Sequence, residues 1–168
     1  MKRLLILMLG FGLLPPALAA DSDASTFEDD AKPWQEVQAQ LPAYPKRENL
    51  VTFTVPGAPD NTYAIDTTSL SIGDDEVVRY SVVIASSYGA MTVNFEGMRC
   101  DPTEFKIYAF GHVDNTWSKN RYAKWEAYAL RTSRSYHKAL FEDYFCPSGV
   151  RVATAKEAIR NLKRGQAK

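Results

Sequence analysis

The chain has 168 residues, 45% of them hydrophobic and 24% charged, with 20 Lys and Arg balanced by 20 Asp and Glu. A formal charge of zero leaves no basic excess to neutralise phosphates, which argues against nucleic acid as a partner. The length suits one domain with a real core, and an aromatic content of 12% argues against a low-complexity chain.

Lys2 and Arg3 precede an apolar run from Leu4 to Leu14; Pro15 and Pro16 end it, and Ala17-Leu18-Ala19-Ala20 offers small residues at a cleavage point. That order predicts a Sec-type signal peptide over residues 1–20 and export to the periplasm. The run is roughly eleven residues, against about 20 needed to span a bilayer. No cysteine stands at the cleavage point, as a lipoprotein would require. No later stretch is long and apolar enough to span either, so the mature chain is expected to carry no transmembrane segment. Losing Lys2 and Arg3 leaves it slightly acidic. Residues 21–32, with Asp21, Asp23, Glu28, Asp29 and Asp30 among small residues, are expected to be a flexible leader, and residues 33–168 a single domain.

Trp34, Val37 and Leu41 stand at helical spacing after Pro33, predicting a short amphipathic helix over 33–40 that Pro42 and Pro45 stop. From Leu50 the period becomes two. Strands are predicted over 51–55, 63–65, 69–72, 77–86, 91–96 and 104–113, with turns at Pro56-Gly57, Gly73-Asp74-Asp75 and Tyr88-Gly89-Ala90. Val78, Tyr80, Val82 and Ile84 share one face, and Met91, Val93 and Phe95 form the inward row of the next strand. Arg79 and Glu96 are then expected to point outward together and pair across the sheet. Gly97 is expected to permit a bulge or bend. Clean alternation implies one packed face and one partly wet one.

Helical period returns after Trp117, with Trp125 and Tyr128 or Ala129 on one face, and most clearly over 133–145, where Tyr136, Leu140 and Tyr144 repeat. A last helix over 154–164 opens on Thr154 and Glu157, a capping box. Its apolar stripe is Ala155, Ala158, Ile159 and Leu162; Lys156, Arg160, Lys163 and Arg164 make the rest basic. Cys100 and Cys146 are the two cysteines. In an oxidising compartment they are expected to form one disulfide, worth about 4 kcal/mol by chain entropy. CxxC spacing is absent, so a structural staple is favoured over a redox pair.

Catalytic motifs are not assembled. His112 and His137 are the two histidines, and neither lies in a nucleophile motif. His112 reads as a loop residue and His137 as solvent-facing. Asp74-Asp75-Glu76 lacks the alternating ligand spacing of a calcium loop and reads as a solvated turn. No metal and no cofactor is expected. Arg79, Glu96, Arg99 and Trp117 are the candidate ligand or partner surface, lined by arginine for an anionic group and by an aromatic ring common at interfaces.

Phe27-Glu28-Asp29-Asp30 with Pro33-Trp34, Asp66-x-x-Ser69-Leu70, Val78-Arg79-Tyr80, Glu96-Gly97-Met98-Arg99-Cys100 and Asp143-Tyr144-Phe145-Cys146 resemble the CNP1-like family of proteobacterial exported proteins over about residues 27–147. The resemblance implies export in a Gram-negative bacterium and implies no activity.

The expected fold is α+β: an antiparallel meander of about five or six strands, helices on one face, and one disulfide. The expected function is a periplasmic, non-enzymatic binding or interaction domain for an envelope protein or small anionic ligand. The alternatives are a hydrolase using His112 and, from a fold-level likeness to small exported domains, a surface-exposed adhesin-like protein.

Overall fold

The computed structural model describes residues 33–128 and 135–165. The expected signal, the leader, Ala129 and the first residues of the 133–145 helix lie outside that description.

Seven antiparallel strands make one sheet: β1 Leu50–Phe53, β2 Asn61–Ile72, β3 Val78–Ser86, β4 Met91–Arg99, β5 Glu104–Gly111, β6 Trp117–Lys119 and β7 Glu126–Ala127. The first six follow one another as a meander, and β6 and β7 pair with different ends of β5. Gly89, at φ 87°, closes the β3–β4 turn, where the Ser86 N–H donates to Ala90 O at 2.8 Å. The two short strands expected around Asp66 are one strand interrupted by an irregularity between Asp66 and Ser71. There the Asp66 carboxylate accepts from the Thr68 N–H at 3.2 Å and the Thr68 hydroxyl at 2.8 Å. Ser69 Oγ donates to Asp66 O and accepts from the Ser81 N–H, both at 2.8 Å. Local side chains thus replace the missing ladder bonds.

On one face of the sheet, Val78, Tyr80, Val82 and Met98 pack against Leu140, Tyr144, Phe145, Ala158 and Leu162. Those come from α1 (Tyr136–Ala139), the π-helical turn Leu140–Phe145 that continues it, and α2 (Ala155–Gly165). No helix among the described residues is long and apolar enough to cross a membrane. The Cys100–Cys146 disulfide joins the end of β4 to the end of the π turn, with Cα atoms 5.7 Å apart. At the start of α2, the Glu157 N–H donates to Thr154 Oγ1 at 3.1 Å, and Glu157 Oε2 accepts from the Ala153 N–H at 2.9 Å. The carboxylate reaches one residue further back than the usual box.

Register corrects the expected faces. Tyr80 stands opposite Glu96, and Ser81 opposite Phe95. Side chains alternate along each strand, so Glu96 shares the helix side with Val78 and Tyr80, whereas Phe95 and Arg79 lie on the other. That other side is not wet: Arg79, Ser81, Val93 and Phe95 are buried. Its cover is the segment from Trp34 to Tyr44. This segment is not the helix that its apolar spacing suggested. It runs without regular secondary structure into a 3-10 turn at Arg47–Asn49. Pro42 and Pro45 remove donors, and the Val37 N–H and C=O are taken by the side chains of Asp75 and Arg79, so the i to i−4 ladder has no chance to form. Where a helix was expected around Trp125, the described residues form the short strands β6 and β7.

Candidate functional site

The covered face is organised by an ion pair. Asp75, in the turn before β3, receives both terminal nitrogens of Arg79: Nη1 to Oδ1 at 3.0 Å and Nη2 to Oδ2 at 2.5 Å. Burial alone would push the Asp75 carboxyl up. The guanidinium and the Val37 and Val77 N–H groups outweigh it and hold the carboxyl below its ordinary value. The same pair reads the covering segment. Asp75 Oδ2 accepts from the Val37 N–H at 2.8 Å, and Arg79 Nη2 donates to Val37 O at 2.8 Å. Trp34 Nε1 donates to Asp75 O at 2.9 Å. Asp75 is therefore a buried anchor, not part of a solvated turn.

Glu36, two residues on from Trp34, enters a second polar cluster. Its carboxylate accepts from Lys106 Nζ at 2.8 Å, Tyr108 Oη at 2.8 Å and Trp125 Nε1 at 3.2 Å. Burial raises its pKa, but these donors bring it below the ordinary value. Tyr108, the extra residue of an irregularity in the β4–β5 register, lies close over Gly97; a Cβ there would stand 2.6 Å from the Tyr108 oxygen. Gly97 thus serves a close approach instead of a bulge of its own.

Arg99, at the end of β4, lies over Trp34, its guanidinium carbon 3.7 Å from the ring centroid and 5.6 Å from that of Trp125. Glu104 holds its other side at 3.2 Å. The two indoles meet edge to face at 6.0 Å. Beside this stack opens a cavity of about 250 Å³, whose lining includes Trp34, Glu76, Arg99, Asp101 and Arg151. Trp117 is further along the same face. Its Nε1 donates to Pro42 O at 3.0 Å and its ring packs on Tyr44 and Phe95.

Glu96 occupies a different site. It is 0% exposed, on the helix side of the sheet. Its Oε1 accepts from Tyr136 Oη at 2.6 Å and Asn94 Nδ2 at 3.0 Å; its Oε2 accepts from Tyr80 Oη at 3.1 Å and faces His137 Nε2 at 3.0 Å. His137 is 2% exposed and stacks on Phe105 at 3.6 Å, so it is a core residue and not a solvent-facing one. α1 turns it inward because Tyr136 and His137 open the helix against the sheet.

Of the four residues singled out from sequence, Arg79, Arg99 and Trp117 thus share the covered face, while Glu96 stands on the opposite one. Arg79 is committed to Asp75 and Val37, Trp117 to the covering segment, and Arg99 alone lines a cavity. Sequence reading missed Trp34, Glu36, Asp75, Lys106 and Tyr108. The available signals were Asp75 four residues before Arg79, and a proline-bounded segment too broken for a helix. His112 is exposed in the β5–β6 turn, with Asp114 in the same turn. No group of three or more His, Cys, Asp or Glu among the described residues is placed to hold a metal ion.

The profile of the CNP1-like family matches residues 29–163. No curated protein and no solved structure matches the chain significantly. Matched over most of its length, the chain belongs to the CNP1-like family.

Proposed function

We propose that the chain is an exported, non-enzymatic binding domain of the bacterial envelope, and that its ligand surface is the cavity beside Arg99. The signal-like order of residues 1–20 supports export, and a disulfide suits an oxidising compartment. The observation that carries the binding reading is the placement of Arg99. It is held on two indoles and one carboxylate at the rim of an open cavity, with Arg151 on the same lining, 3.6 Å from the exposed Glu76 carboxylate. A guanidinium fixed in this way has little rotamer freedom left to lose on binding, which favours capture of a carboxylate or phosphate group. The cavity is small, so it suits an anionic group on a partner's side chain or terminus better than a large cofactor. A hydrolase centred on His112 has less support, because His112 and Asp114 both lie exposed in the β5–β6 turn.

Tryptophan emission tests the proposal, because Trp34 and Trp125 flank Arg99. Titration with a glutamate hexapeptide, and separately with inorganic phosphate, should change the emission saturably. Arg151→Gln should weaken that response while retaining the melting temperature. A linear, unsaturable response to both probes would remove the proposal.

A further inference from the structure

α2 presents a second surface, unrelated to the Arg99 cavity. The last 18 residues carry six of the chain's 20 Lys and Arg and one of its 20 Asp and Glu, so positive charge is concentrated at this end of an otherwise acidic chain. The helix buries Ala158 and Leu162 against the core, which leaves Lys156, Arg160, Lys163 and Arg164 exposed along the opposite side. These four recur at i, i+4, i+7 and i+8, one stripe about 12 Å long at 1.5 Å per residue. Arg160 makes only a long contact with Glu157, at 3.9 Å. Among the described residues, Lys156, Lys163 and Arg164 have no acidic partner. Between them is an open depression of about 500 Å³, lined by these four residues and the half-buried Ile159. Its walls are largely apolar, made by Ile159 and the methylene stems of the basic residues.

We infer that this face of α2 docks the protein on an anionic lipid bilayer. Three observations favour a bilayer over other polyanions. The four exposed basic residues lie along one side of a single helix, which suits a helix lying in the plane of a membrane interface. Its charged heads stand on an apolar floor that headgroup and acyl boundaries satisfy and a phosphate backbone does not. The other residues of the chain are acidic in sum, which disfavours wrapping by a nucleic acid but leaves one cationic face free to meet a flat surface. The contact is superficial and reversible, because the apolar residues Ala158 and Leu162 stay in the core.

Co-sedimentation of the full chain with vesicles tests the inference. Vesicles of phosphatidylcholine with 40% phosphatidylglycerol are compared with pure phosphatidylcholine, in low salt and in 0.5 M salt. Residues 1–20 are common to every protein compared, so the difference between wild type and the Lys156→Glu/Lys163→Glu variant reads α2 alone. The inference expects stronger binding to the anionic vesicles, loss of that excess in high salt, and a drop of about tenfold or more in the variant. A milder Lys156→Gln/Lys163→Gln pair should fall between the two, and melting curves should show all three proteins folded. Equal pelleting with both vesicle types, or a variant indistinguishable from wild type, would overturn the inference. So would tighter binding to a 20-base DNA duplex than to the anionic vesicles at the same ionic strength. Arg151→Gln should leave vesicle binding unchanged, which separates this surface from the Arg99 cavity.

Discussion

Glu96 Oε2 stands 3.0 Å from His137 Nε2, and both side chains are buried. The contact joins the middle of the sheet to the first turn of α1, with Tyr80, Asn94 and Tyr136 completing the hydrogen bonding of the carboxylate. Burial by itself raises the pKa of Glu96; the His137, Tyr136 and Asn94 contacts outweigh it and hold the carboxyl below the ordinary value of 4.5. The folded state therefore binds fewer protons here than the unfolded chain, and stability rises with pH through this window. The contribution is present above about pH 4.5 and is lost as the pH falls through the lower folded value. Glu96→Gln should cost about 1–3 kcal/mol at pH 7, because the amide nitrogen cannot accept the hydrogen bonds that the carboxylate takes from Tyr80, Asn94 and Tyr136. The gap from wild type should narrow in urea unfolding at progressively lower pH. A gap independent of pH between 7 and 3 would contradict this account.

Asp75→Asn should be comparably severe for a different reason. It leaves the Arg79 guanidinium, 6% exposed, without its carboxylate, at a cost of about 3–5 kcal/mol. It also weakens the grip on Val37. The expected signature is a red shift of tryptophan emission as Trp34 leaves Arg99, together with faster exchange of the Val37 amide. Arg79→Lys should reproduce both effects, since an ammonium cannot hold both Asp75 oxygens and Val37 O in one plane.

Gly97→Ala should destabilise by about 1–3 kcal/mol. The added methyl meets Tyr108 Oη at 2.6 Å and Val77 Cγ1 at 2.9 Å, so the ring has to move and the Glu36 contact moves with it. In a double-mutant cycle with Tyr108→Ala, the cost of the methyl should fall to well under half. Additive costs would show that the ring is not the obstacle.

Thiol labelling without reductant should find neither Cys100 nor Cys146. Replacing both by serine should lower stability by up to about 4 kcal/mol, with native strain and residual unfolded structure reducing that figure. Hydrogen exchange should rise first in the π turn Leu140–Phe145, which the disulfide fastens to β4.

The sheet was legible in the sequence because its strands are alternating runs bounded by turn residues: β3, β4 and their Gly89 turn are all where the pattern places them. The capped start of α2 was legible from Thr154 and Glu157 three residues apart, and the disulfide from the presence of two cysteines in a chain expected to be exported. What period two could not show is which row faces the helices, because both faces of β4 carry buried side chains: Val93 and Phe95 on one, Glu96 and Met98 on the other. A buried glutamate reads as an outward one until its partners are known, and His137 lies 41 residues away in sequence. The same blindness made Trp34, Val37 and Leu41 read as a helical stripe, when the contacts that decide their conformation come from Asp75 and Arg79. Arg99 was identified from sequence as a candidate, but not its seat on Trp34. Arg99→Ala consequently carries a stability cost of about 1 kcal/mol, and Arg151→Gln is the cleaner probe of binding.

The three indole N–H resonances of Trp34, Trp117 and Trp125 give the most direct test of the ligand surface. Trp34 and Trp125 touch Arg99, whereas Trp117 is bonded to Pro42 away from it. In a two-dimensional nitrogen–proton NMR titration with the glutamate hexapeptide, the Trp34 and Trp125 resonances should move along one saturable curve and Trp117 should stay in place. Uniform drift of all three, or movement of Trp117 alone, would contradict a ligand surface at Arg99.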